Sequence, residues 1–141
     1  MTSRTDTAGR TTSYAYDNVN RLTGATDAAN KTTTFQYDAL SRTTSVTDAL
    51  SQQYQFVYDL LGRQTQITRG GVSMNYVYDA VGNRTQRTDY NGAVTNYSYD
   101  DLNRLTTTIT YPDSSTGSYG YDELSRLATA TNLERHGHDE L

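Results

Sequence analysis

An all-β fold is predicted for this chain: tandem antiparallel β-hairpins of about 21 residues each, forming one continuous curved or spiralled sheet. Three observations lead there. A Tyr-Asp pair recurs six times, at Tyr16-Asp17, Tyr37-Asp38, Tyr58-Asp59, Tyr78-Asp79, Tyr99-Asp100 and Tyr121-Asp122, in steps of 21, 21, 20, 21 and 22 residues. Two residues before each pair stands another aromatic, Tyr14, Phe35, Phe56, Tyr76, Tyr97 or Tyr119. That is the spacing of one face of a strand. After each pair comes a constant punctuation of Leu or Val, then Asn, Ser or Gly, and usually Arg.

The first strand of each unit carries the Y-x-Y aromatics. The residues between them, Ala15, Gln36, Val57, Val77, Ser98 and Gly120, are smaller or more polar, so the aromatic face is expected to be the buried one. The turn follows, reading YDNVNR, YDALSR, YDLLGR, YDAVGN, YDDLNR and YDELSR. An Asp opening a turn accepts hydrogen bonds from the N–H groups ahead of it, and Gly or Asn at the fourth place tolerates positive φ. Asn20, Gly62, Gly82 and Asn103 meet that requirement, while Ser41 and Ser125 must accept strain or a different turn. A type I turn with a G1 bulge fits this pattern. The apolar turn residues Val19, Leu40, Leu61, Val81, Leu102 and Leu124 are expected to stack on one another and close the end of the aromatic row.

From the Arg a second, Thr-rich and β-branched strand runs through segments such as RLTGATD (21–27), RTTSVTD (42–48) and RQTQITR (63–69). It ends in more variable connections: DAANK (27–31), DALSQ (48–52), RGG (69–71), DYNGA (89–93) and YPDSSTG (111–117). The one-residue changes of period fall there or in YDAVGNR, where Asn83 holds the usual Arg place and Arg84 arrives one position late. A single array over residues 1–141 is expected, with repeat cores near 14–22, 35–43, 56–64, 76–84, 97–105 and 119–127 and a degenerate or truncated part at 128–141.

Composition narrows the function classes. Only 34% of the 141 residues are hydrophobic and there is no Trp, so a compact core is poorly supplied and backbone pairing between repeats must carry much of the stability. Thirteen Tyr, a single Pro and strict periodicity argue for order over a polar disordered tract. The absence of Cys excludes disulfides and thiolate metal sites. A net charge of −4 speaks against nucleic acid as partner. No apolar stretch is long enough for a membrane span, and the first residues, MTSRTDTAGRTTS, lack the apolar core of a signal peptide. The chain is therefore expected to be cytoplasmic, or a piece of a longer protein whose address lies elsewhere.

With its core Y-x-Y-D-x-L-G-R, the 21-residue period resembles the YD repeat of the Rhs (rearrangement hotspot) family, which includes shell subunits of bacterial toxin complexes and the teneurins. The resemblance covers residues 14–127 in six in-register copies. It implies hairpins that continue one long sheet spiralling into a hollow shell around a cargo polypeptide, often a toxic C-terminal domain. This chain would then be a wall segment of such a shell, from a parent protein secreted by, or on the surface of, a bacterium. The family's much longer repeat runs, further conserved segment and appended toxin are not found in these residues. The ends agree with a segment: HGHDEL (136–141) matches YGYDEL (119–124), and DTAGRTTSY (6–14) matches DAANKTTTF (27–35). The terminal HDEL also spells an endoplasmic-reticulum retention signal, which is read only in a chain that enters that compartment; the repeat reading is preferred.

The residues singled out are architectural: Tyr16, Asp17, Arg21, Tyr37, Asp38, Arg42, Tyr58, Asp59, Gly62, Arg63, Tyr78, Asp79, Gly82, Tyr99, Asp100, Arg104, Tyr121, Asp122 and Arg126. Each Arg is expected to pair with an Asp across or beside its turn. One Asp per repeat is explained by turn hydrogen bonding without calcium, and His136, His138 and Asp139 lack the supporting partners of a metal site. Residues copied six times leave no asymmetric catalytic centre, so neither enzymatic activity nor a cofactor is expected. The alternative is a surface or adhesion module that binds carbohydrate or protein, its tyrosines stacking on sugar rings. Expected partners are neighbouring repeats, other copies of the chain through open strand edges or aromatic faces, and an enclosed polypeptide.

Overall fold

The computed structural model describes residues 2–106, 109–110 and 115–133, and among these it is all β with no helix. Thirteen strands follow in chain order: β1 (Thr2–Thr5), β2 (Thr11–Tyr16), β3 (Leu22–Thr26), β4 (Thr32–Tyr37), β5 (Thr43–Thr47), β6 (Gln53–Tyr58), β7 (Gln64–Arg69), β8 (Val72–Tyr78), β9 (Arg84–Thr88), β10 (Val94–Asn96), β11 (Ile109–Thr110), β12 (Thr116–Tyr121) and β13 (Leu127–Leu133). Two compact units divide the chain, residues 1–73 and 74–141. Within each, strands adjacent in sequence are adjacent in the sheet, antiparallel and without crossover.

In the first unit Tyr14 lies opposite Ala25, Phe35 opposite Val46 and Phe56 opposite Ile67, so aromatic and aliphatic side chains share one face. The other face sets Gly24 against Ala15 and Thr34, and Ser45 against Gln36 and Gln55. Such a division is what alternation along a pleated strand produces. In the second unit β8 and β9 keep the alternation of faces, but Arg87 stands opposite Tyr76 where the first unit has an aliphatic residue. In the fifth repeat the ladder thins to the short β10 and an isolated bridge between Tyr99 and Leu105.

The aromatic face is less enclosed than the sequence suggested. No described side chain is fully buried, Ser45 is the buried polar residue, and the aromatic strand positions are half-buried. A single sheet layer covers its rings only by their cross-strand neighbours. The expected stacking of the apolar turn residues also fails: Val19, Leu40, Leu61, Val81, Leu102 and Leu124 are 60–74% exposed. They project from the hairpin tips, past the last ladder bond, where no layer formed by the described residues receives them.

Candidate functional site

The second repeat shows how the motif is built. Asp38 closes its turn by accepting from the backbone N–H of Leu40 and of Arg42, both at 2.9 Å, through one carboxylate oxygen. The Asp38 carbonyl accepts from Ser41 N–H, and Asp38 N–H donates to the Arg42 carbonyl. With Ser41 at φ 63°, this is the bonding pattern of a type I turn closed by a G1 bulge. Ser41 and Ser125 thus enter the same left-handed region as Asn20, Asn103, Gly62 and Gly82. The register slips by one residue at Tyr16, Tyr37, Tyr58, Tyr78 and Tyr121, as between Gln36 and Tyr37, a β-bulge next to the turn.

From this turn the arginine reaches outward. Arg42 Nε donates to the other Asp38 oxygen at 2.6 Å, and its Nη1 donates to the carbonyl of Asp59, in the next repeat, at 3.1 Å. The guanidinium carbon lies 4.8 Å from the centroid of the Tyr58 ring, and the Tyr58 hydroxyl donates at 2.8 Å to the carbonyl of Thr43. One repeat therefore grips the next through a forked cation, and the next grips back through a phenol. Arg21 repeats this on Asp17, Asp38, Ser41 and Tyr37, and Tyr37 answers on the Leu22 carbonyl. In the second unit Arg104 holds Asp100, Ser125 and the Tyr121 ring, and Tyr99 donates to the Arg84 carbonyl. Asp59 pairs with Arg63 at 2.6 Å. Asp122 and Arg126 pair at 2.7 Å, but there the Arg side chain is 74% exposed, against 27% for Arg42.

The fourth repeat substitutes another chemistry. Asn83 Nδ2 donates at 2.9 Å both to Asp79 and to Asn103 of the following turn, so a short amide spans what the guanidinium spans elsewhere. Arg84 is thereby released onto the aromatic face, 4.8 Å from the Tyr97 ring centroid and 5.6 Å from that of Tyr76.

These contacts set the carboxylates. In Asp17, Asp38, Asp100 and Asp122 the backbone N–H of the following Arg is the largest cause of a lowered pKa, with the Arg side chain adding to it. At Asp59 and Asp79 desolvation pushes upward but is outweighed by the side-chain bonds from Arg63 and Asn83 together with backbone N–H groups. Burial raises the Tyr99 phenol.

The turns at the other ends of the strands are what the sequence had left as variable loops. Asp6, Asp27, Asp48 and Asp89 close the same turn, with Gly9, Asn30, Ser51 and Gly92 at positive φ. Across the first unit the two sets of turns alternate in plain sequence, with Asp at 6, 17, 27, 38, 48 and 59, alternately 11 and 10 residues apart. That signal could have found them. What these turns lack is a preceding Tyr and the repeat-to-repeat fork: Arg10 pairs with Asp6 at 2.7 Å, but Lys31, Gln52 and Ala93 stand where the Tyr-Asp turns have Arg. Gly70 and Gly71, at φ 57° and 83°, make the tighter two-residue turn between β7 and β8. Beside it Arg69 binds Gln52 and lies over Tyr54.

Among the described residues no group of metal-ligating side chains converges; His136, His138, Asp139 and the HDEL end lie outside them. No described helix is long and apolar enough to cross a membrane.

The RHS Repeat family model matches residues 1–32, 19–50, 37–71 and 78–116. A search of the curated proteins finds no match. Among solved structures the chain is similar to a chain of the Tc holotoxin pore of Photorhabdus luminescens, with TM-score 0.76 and 18% identity over 92% of this chain and 8% of that one. The TcdB2-TccC3 complex without its hypervariable C-terminal region is similar at TM-score 0.64 and 19% identity, over 92% of this chain and 7% of that one. Both likenesses are of fold, and both concern a small part of a far longer polypeptide.

Proposed function

The chain belongs to the RHS repeat family, and from that membership we propose that it is a non-enzymatic structural segment, a stretch of wall in a β-shell that encloses a toxin or other polypeptide. The observation that supports this most is the use made of the Tyr-Asp-Arg motif. Its atoms are spent on the turn and on the neighbouring repeat: Arg42 on Asp38, Asp59 and Tyr58, and Tyr58 on Thr43. A motif that adds one more hairpin by holding the previous one suits a protein whose role is extent. Its partners in this reading are further repeats of the same kind, in the same polypeptide or in other copies, and the enclosed cargo. The site residues named from sequence are assigned to this construction role.

Sequencing the reading frame through these repeats, and then treating the encoded protein with protease, tests the reading. Many further repeats followed by an unrelated tail, with the tail resisting protease until the repeats are denatured, support it. A frame without further repeats or tail, whose product forms no enclosed particle under the electron microscope, contradicts it.

A second reading, a surface module that binds carbohydrate or protein, is favoured by the openness of the aromatic face, where Tyr16 is 47% exposed. Half-covered rings on a single sheet layer can stack on sugars. Saturable glycan binding that is lost in folded Tyr-to-Ala variants supports that reading; a blank glycan array removes the carbohydrate form of it.

A further inference from the structure

The fourth repeat places charge where the others are neutral. Arg87 faces Tyr76 across β8 and β9, and the matching places in the first unit, opposite Tyr14, Phe35 and Phe56, hold Ala25, Val46 and Ile67. Arg84 lies opposite Tyr78 in the same ladder, and so on the same face. Two guanidiniums thus share the aromatic face of one repeat, in a chain of net charge −4; the comparable cation of the first unit, Arg69 opposite Tyr54, is met by Gln52.

Neither has a described ion pair. Every Arg of the turn motif with a described partner has its own Asp, whereas among the described residues no carboxylate pairs with Arg84 or Arg87. Arg84 Nε is buried and meets no hydrogen-bond acceptor. A buried charged donor without an acceptor is costly, and an anion that meets the remaining nitrogens of the same guanidinium offsets part of that cost. The rings of Tyr97 and Tyr76, 4.8 and 5.6 Å from the Arg84 guanidinium carbon, flank the cation.

We propose that Arg84, Arg87, Tyr76 and Tyr97 form a binding site for the side-chain carboxylate of an acidic polypeptide segment lying on the aromatic face. The fork of a guanidinium matches a carboxylate, and the flanking rings suit apolar neighbours in a peptide. A nucleic acid is disfavoured by the net negative charge. The site deepens the shell reading by giving the enclosed face one point of charge recognition, and it rests on that reading only for the origin of the peptide.

The test uses the whole chain with arginine Nε nitrogens observed by NMR. It is titrated with a blocked tetrapeptide of two glutamates between phenylalanines, with the glutamine version of that peptide, and with inorganic phosphate. The expected result is a saturable shift of the Arg84 and Arg87 signals with the glutamate peptide, about tenfold weaker binding of the glutamine peptide, and loss of the preference in R87Q. Because the peptide comparison uses the native sequence, it stands even if R87Q fails to fold. Equal binding of the two peptides, no shift with either, or phosphate matching the glutamate peptide overturns the proposal. None of these outcomes bears on protease protection of a tail, so the shell reading stands or falls separately.

Discussion

Arg42 does more than an exposed ion pair, which contributes only about 0–1 kcal/mol. It joins its own Asp38 to the Asp59 carbonyl and covers the Tyr58 ring, with 27% of its side chain exposed. R42A is expected to destabilise the chain by about 2 kcal/mol in urea unfolding, and R42K by about 1 kcal/mol, since an ammonium keeps the charge but loses the fork. R126A, at a pair whose Arg is 74% exposed, should cost less than about 0.5 kcal/mol. The phenols provide a parallel contrast. Y58F removes the bond to the Thr43 carbonyl and should cost about 1 kcal/mol, whereas Y16F, at a hydroxyl with no described acceptor, should change stability by less than about 0.3 kcal/mol. Equal effects within either pair would mean that the grip between repeats is not what these residues supply.

At the scale of the hairpin, the left-handed position decides the turn. Ser51 sits at φ 62° and its hydroxyl makes no described hydrogen bond, so S51G should stabilise by roughly 0.5–1 kcal/mol. Gly62, at φ 81°, predicts the opposite sign: G62A should cost about 1 kcal/mol, read in the same urea titrations. This turn was legible in the sequence because Asp at its start and Gly or Asn at its fourth place each have a local physical reason. Ser41 and Ser125 show that the Asp and Arg bonds enforce the geometry even where the fourth residue resists it. The second set of turns was harder to see, since Asp27 and Asp48 lack the flanking Tyr and Arg that made the first set conspicuous. Leu40 was misread for a different reason. Its apolarity is visible in sequence, but what lies beyond a hairpin tip is a property of the assembly.

Over the whole chain, carboxylates of one kind recur, and this gives the molecule a common response to acid. Asp17, Asp38, Asp59, Asp79, Asp100 and Asp122 all have folded pKa values below the ordinary one. Their stabilisation is therefore fully present above the unfolded value, near about 4, and is lost as pH falls through the lowered folded values. The Tm should stay level from neutral pH to about pH 5 and drop steeply below about pH 4. A Tm that rises on acidification would contradict the turn account. The array as such was legible from its period, while the fork from Arg42 to Asp59 was not, because a spacing of 17 residues carries no signal until the register is known. That fork and the ring beneath it carry the central claim, that within a unit the Tyr-Asp-Arg motif couples a repeat to the one that follows it. A double-mutant cycle of R42A and Y58A, read by urea unfolding, measures the coupling across the repeat boundary. The account predicts a favourable interaction of about 0.5–1 kcal/mol between the two side chains. Strictly additive losses would contradict it.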